Sequence, residues 1–207
     1  METLEKTTKK AIFGIAVIFL IGAIYNTAHS QENKSSWFIE GYALFLDEQE
    51  IIPTADVYMN HKLNDAWSIT AFALTTNTWA EAYAGFEYSP TSWLVLGLSV
   101  GIETNSPEYW RTAATLLILT KKVNFTNFFE YGGSGYWYDI QLKYKINSWS
   151  SIGVIARRFH GAGLRVDFSI PNTPLGLWIA PLYNQGELLG GPEKGVFGGI
   201  TGFSLSF

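Results

Sequence analysis

From Trp37 onward, apolar and polar residues alternate in segments about a dozen residues long, and turn-forming residues separate the segments. In "WLVLGLSVGIE", Leu94, Leu96, Leu98, Val100 and Ile102 share one parity. In "YWYDIQLKYKI", Tyr136, Tyr138, Ile140, Leu142, Tyr144 and Ile146 oppose Asp139, Gln141, Lys143 and Lys145, and "LRVDFSI" sets Arg165 and Asp167 against Leu164, Val166, Phe168 and Ile170. A period of two is the signature of a strand with unlike faces, and no helical period competes with it here. Each segment is close to the ~9–11 residues of a tilted membrane strand.

The breaks fall in two alternating sets. Tight ones lie at 63–65, 89–92, 120–122, 147–148 and 171–174, and generally longer ones at 47–53, 76–78, 104–108, 132–135, 160–163 and 184–195. Eleven connections predict twelve strands, with ten as the alternative, at about 37–46, 54–62, 66–75, 79–88, 92–103, 109–120, 123–131, 136–146, 149–159, 163–170, 175–183 and 196–207. Strands 1, 3 and 11 do not alternate cleanly. Tryptophans gather at strand starts: Trp37, Trp67, Trp93 and Trp149 at the tight-turn end, and Trp79, Trp110 and Trp137 at the other, although simple parity turns Trp93 and Trp137 inward. Two aromatic belts of this kind suit two membrane interfaces.

A leucine-rich face that meets hydrocarbon forces charge to the other face, because a basic group near mid-membrane costs about 2–4 kcal/mol on the lipid side. Parity sends Glu81, Glu87, Glu103, Glu130, Asp139 and Asp167 inward with Arg111, Lys121, Lys143, Lys145, Arg157 and Arg165, and adds Glu40, Asp56 and Lys62. Eight acids and seven bases nearly balance. Such a lining serves either as a lattice of ion pairs that stiffens the interior or as a wall that recognises a dipolar or charged solute.

The N-terminus has the form of a secretory leader: Lys6, Lys9 and Lys10, an apolar run from Ala11 to Tyr25, then Ala28 and Ser30 as the small residues before a cut at Gln31. Residues 1–30 are therefore expected to be removed, leaving 31–207 as one domain. The leader holds three of the 14 basic and two of the 18 acidic residues, so the remainder is net −5, which disfavours nucleic acid as a partner. The absence of cysteine excludes disulfides, thiolate metal sites and an acylated N-terminal cysteine. The acidic run 47–50 lacks the ligand spacing of a calcium loop, and "GGSG" at 132–135 reads as a hairpin tip rather than a phosphate loop. No metal or other cofactor is expected.

The C-terminus, "VFGGITGFSLSF", places Phe203, Leu205 and Phe207 on one face of a last strand and stops on an aromatic ring. This tail resembles the closing strand of bacterial outer-membrane β-barrels, and with the leader and the strand pattern the chain is similar to that class without matching a particular family. The resemblance implies an all-β, antiparallel, up-and-down transmembrane barrel in the outer membrane of a Gram-negative cell. It also implies lipopolysaccharide and outer-membrane lipid as surroundings, and periplasmic chaperones and the barrel assembly machinery as partners, the latter reading Phe203, Leu205 and Phe207.

Twelve strands lie between the eight that leave room only for side chains and the 16–18 that leave an aqueous channel. The leading expectation is a narrow, porin-like passive channel for small solutes. Its lining and solute-binding residues would be Glu81, Glu87, Glu103, Arg111, Glu130, Asp139, Lys143, Arg157, Arg165 and Asp167, with no catalytic residue. One alternative is a lipid-modifying enzyme, since "RRFHGAGLRVDFS" is similar to the histidine-centred region of lipid A deacylases; there Ala162 occupies the place of the expected serine, and Ser169 follows one strand later. His61, near a tight turn, is the other histidine of the mature chain and has no evident role. A structural or adhesin-like barrel without turnover is the third reading.

Overall fold

The computed structural model describes residues 34–46 and 51–207. The expected leader with its cut before Gln31, and the acidic run 47–50, lie outside the described residues. Twelve strands follow one another: β1 (Ser35–Leu46), β2 (Ile52–Lys62), β3 (Trp67–Thr76), β4 (Ala80–Thr91), β5 (Leu94–Glu103), β6 (Trp110–Leu119), β7 (Val123–Gly132), β8 (Gly135–Lys145), β9 (Ser150–Arg157), β10 (Gly161–Ser169), β11 (Leu175–Asn184) and β12 (Val196–Ser206). Every strand pairs antiparallel with its neighbours in sequence, and β12 returns to β1 to close the ring. Closure leaves no row of unpaired backbone groups, the condition for a sheet in hydrocarbon.

Because the strand count is even, both ends of the barrel chain share one rim with the tight connections. Those turns are built by side chains that satisfy the bent backbone: Asn64 Oδ1 accepts from the amides of Ala66 and Trp67, Asn147 Oδ1 from Trp149 and Ser150, and Thr120 Oγ1 from Val123. The opposite rim carries the longer loops, including an eleven-residue connection between β11 and β12 with a single helical turn, α1 (Gly186–Leu189). That loop lies across the rim above β8–β10: the Tyr138 hydroxyl donates to Leu188 O at 2.8 Å and the Phe159 amide to Leu189 O at 2.6 Å.

The outward face is apolar and open, with Leu98 72% and Val100 68% exposed. Aromatic pairs ring it near both rims, Trp67–Tyr88 and Trp149–Phe168 at the turn end, Trp110–Tyr131 and Tyr183–Phe197 at the loop end. A shallow apolar groove of about 640 Å³ runs over this outer wall between β3 and β7.

Inside, the wall is polar around much of its circumference but not all of it. Tyr42, Leu44, Ile155, Trp178, Ala180, Leu182 and Ile200 form a buried apolar cluster within the lumen, on the β9–β12 and β1 side. This cluster is why strands 1 and 11 lack clean alternation: both of their faces are apolar, one toward the exterior and one toward this packing. In β3 Leu74 and Phe72 likewise take inward positions.

Three parity expectations and one belt position are corrected. Lys62 ends β2 and Lys121 lies in the β6–β7 turn; both are exposed at the turn rim, where a lysine reaches water without entering the lumen. Trp93 sits in the two-residue β4–β5 turn, outside the pleat that parity assumes, and is exposed. Trp79 leaves the outer belt and turns its indole nitrogen to the inward Glu103 at 3.3 Å.

Candidate functional site

Arg111, the second residue of β6, is fully buried near the loop rim with three glutamates around it. Its Nη1 donates to Glu103 Oε2 and its Nη2 to Glu130 Oε2, each at 3.0 Å, while Glu81 Oε2 lies 3.4 Å from Nε. Nε donates to the Tyr83 hydroxyl at 2.7 Å, and that hydroxyl is 2.9 Å from both Glu81 Oε2 and Glu130 Oε2. Ser134, at the β7–β8 tip, gives its amide to Glu103 Oε1 at 2.8 Å and its hydroxyl to Glu103 Oε2 at 2.6 Å. The backbone is shaped to the cluster: a Cβ at Gly101 would stand 2.5 Å from the Tyr83 ring, and one at Gly132 2.5 Å from Arg111 Cγ. Charge-assisted bonds of this density fix the guanidinium.

A second tier lies across the lumen. Arg157 donates Nε to Asp139 Oδ2 at 3.0 Å and Nη2 to the same oxygen at 2.5 Å, and its guanidinium is 5.0 Å from the Tyr42 ring centre. Arg165 donates to Asp167 Oδ1 at 2.9 Å, reaches Glu40 Oε1 at 3.4 Å and lies 3.8 Å over the Trp178 ring. Asp56 stands directly opposite Glu40 in the β1–β2 ladder. Toward the turn rim, Lys143 approaches Asp167 at 3.6 Å, and with Lys145, Ser151, Ser169 and Ser204 it borders a polar cavity of about 200 Å³. Glu87 differs from the rest. It is buried and, among the described residues, accepts only from neutral donors, Tyr58 at 2.6 Å and Asn60 at 2.8 Å.

The ten residues singled out as a lining thus occupy inward positions, and the structure joins nine of them into three groups, Arg111 with its three glutamates, Arg157 with Asp139, and Arg165 with Asp167 and Lys143, while Glu87 stands apart. The partners Tyr83, Ser134, Trp79, Tyr42 and Trp178 were not singled out as such. Tyr83 shares the inward parity of Glu81, which marks it as a large lumen residue, but the approach of Ser134 to Glu103 depends on strand stagger. On the outer face of β12, Phe203 and Phe207 are exposed, and the Phe203 ring covers Gly41 of β1.

The histidines do not join a nucleophile and an acid. His160 lies in the β9–β10 turn with Nδ1 2.9 Å from Arg158 O, and Ser169 is at the far end of β10. At ~3.3 Å per residue the two are separated by the length of the strand. His61 Nδ1 meets Ser35 Oγ at 2.8 Å across the β1–β2 ladder, without a carboxylate on its other nitrogen among the described residues.

No protein-family model matches the chain, and no curated protein does. Among solved structures it is similar to the KdgM porin, with a TM-score of 0.54 and 11% identity over 82% of this chain and 99% of that one. It is also similar to the NanC porin, with a TM-score of 0.52 and 13% identity over 81% of this chain and 98% of that one. The chain has the porin-like barrel fold. At these identities the likeness speaks to architecture, and the twelve-strand closed ring agrees with it.

Proposed function

We propose that the protein is a narrow channel of the bacterial outer membrane that passes small polar solutes, exported with its leader removed before Gln31. The observation that supports this most is the charged wall: ionised groups follow one another from the loop rim to the turn rim inside a closed barrel whose outside is apolar. In this reading the loop rim faces outward, the turn rim faces the periplasm, and Glu81, Glu87, Glu103, Arg111, Glu130, Asp139, Lys143, Arg157, Arg165 and Asp167 set the charge of the wall, with the partly exposed Lys143 and Asp167 the ones a passing solute touches. Lipopolysaccharide and phospholipid surround the barrel, and the assembly machinery reads Phe203, Leu205 and Phe207. The mature N-terminus is expected at Gln31; mass spectrometry of the membrane fraction that finds residues 1–25 still attached would overturn the processing step.

A second reading, a structural barrel without flux, is favoured by the apolar cluster around Trp178 and Ile200, which fills part of the lumen. Planar-bilayer recording separates the two. The channel reading expects small discrete current steps, altered in ion preference by Glu87→Gln, because the amide oxygen can keep the bond from Asn60 and the amide nitrogen can donate to the Tyr58 hydroxyl while the charge is removed. Silence from protein shown to be folded would favour the structural barrel.

A further inference from the structure

Charge in this barrel is sorted along its axis. Among the described residues the loop end holds six carboxylates, including the Glu81, Glu103 and Glu130 set, against three bases. The turn end holds five lysines, Lys34, Lys62, Lys121, Lys122 and Lys145, against only Asp65 and Glu87. Between them the wall is close to balance, with Glu40, Asp56 and Asp139 facing Arg157 and Arg165, and the Lys143–Asp167 pair, nearer the turn rim, cancels itself. The asymmetry emerges only with the fold, because the lysines that parity placed inside the lumen, Lys62 and Lys121, belong to one rim.

We infer that this arrangement makes the lumen a rectifier, which carries ionic current more readily when the loop end is at positive potential than when it is negative. The inference rests on the channel reading above. In a conduit no wider than the screening length, ~10 Å at 0.1 M salt, wall charge decides which mobile ions enter. The acidic end gathers cations and the basic end gathers anions. With the loop end positive, cations are driven in through the acidic mouth and anions through the basic one, so both accumulate mid-lumen and conductance rises. Reversing the field draws each ion back toward its own mouth, and the middle is depleted.

The experiment is single-channel recording at two salt concentrations, with orientation assigned from one-sided protease access to the β11–β12 loop. At ~0.1 M salt the current ratio between polarities should be about twofold or more, larger with the loop end positive, and it should approach unity at ~1 M, where screening shortens to ~3 Å. Lys62→Glu, Lys121→Glu and Lys122→Glu together reverse the turn end's charge at exposed positions the fold does not need. That variant should lose the asymmetry and shift its reversal potential toward cations. Open channels with equal currents at low salt, asymmetry in the opposite sense, or asymmetry untouched by the lysine changes would overturn the inference and leave the channel standing. Absence of any current from folded protein would overturn the channel reading and the inference with it.

Discussion

Arg111 and its neighbours respond very differently to substitution, although all belong to one network. Arg111→Met removes the only guanidinium among Glu81, Glu103 and Glu130 and leaves carboxylates buried without a counter-charge, a situation that costs about 3–5 kcal/mol. Glu81→Gln leaves Arg111 with its two closer partners and should cost far less. Denaturant midpoints of the folded protein in detergent would measure both, and equal losses would contradict the central position of Arg111. His160 gives a pH dependence at the same scale. Burial, reinforced by the charge of Arg157, lowers its imidazole from the usual 6.5 to about 4. The folded chain therefore binds fewer protons than the unfolded chain between these values, so the stability His160 contributes is complete above about 6.5 and is lost as pH falls toward 4. An imidazole NMR titration with a midpoint near 6.5 in the folded protein would contradict this. The inward placement of the charges inside strands was legible from parity, whereas that of Lys62 and Lys121, at a strand end and in a turn, was not. The partners Ser134 and Trp79 were not, because each joins Glu103 from another strand connection, and sequence carries no record of the stagger that brings them together.

At the scale of strands, alternation works where the two faces meet unlike surroundings and fails where they do not. β5, β8 and β10 show unlike faces and were readable to within a few residues. β11 is apolar on both faces because Trp178, Ala180 and Leu182 pack inward against Tyr42 and Ile200. Nothing in a list of apolar residues says which side of a wall is wet. Trp178→Ala tests that packing: it should lower thermal stability, on the order of 3–5 kcal/mol for an emptied tryptophan site, and raise the single-channel current by widening the lumen. A destabilised variant with unchanged current would place the restriction to flow elsewhere. The last strand makes a separate test. The Phe207 amide and carbonyl exchange bonds with Trp37 at 2.9 and 3.0 Å, so the terminal residue is part of the ring. Deleting Phe207 should reduce folded yield in lipid vesicles well below that of Ser206→Ala. Comparable yields would show that the final pair is dispensable.

For the whole molecule, the sequence conveyed the closed ring, the number of strands and the unequal rims, since each depends on local signals repeated along the chain. The division of charge between the rims, and an interior that is charged on one side and apolar on another, depend on which residues end a strand and on what lies across the lumen. Those are properties of the assembled cylinder. A barrel of this kind has no hydrophobic centre shared by all its strands; its stability is distributed around a circumference in which each strand depends on two neighbours.

The seam between β1 and β12 sets the order of events in time. Eleven of the twelve strand junctions join neighbours in sequence and can form as soon as both strands exist, but this one joins the first strand to the last, and the entropic cost of closing a loop grows with its length. A sheet in which this junction is unmade has two unsatisfied borders, each able to pair with a second copy. The seam therefore acts on kinetics before it acts on stability. Its residues, Gly41 beneath Phe203 and Trp37 beside Phe207, decide how many chains reach the native cylinder rather than an aggregate, and crowded chains should lose that competition more often than dilute ones.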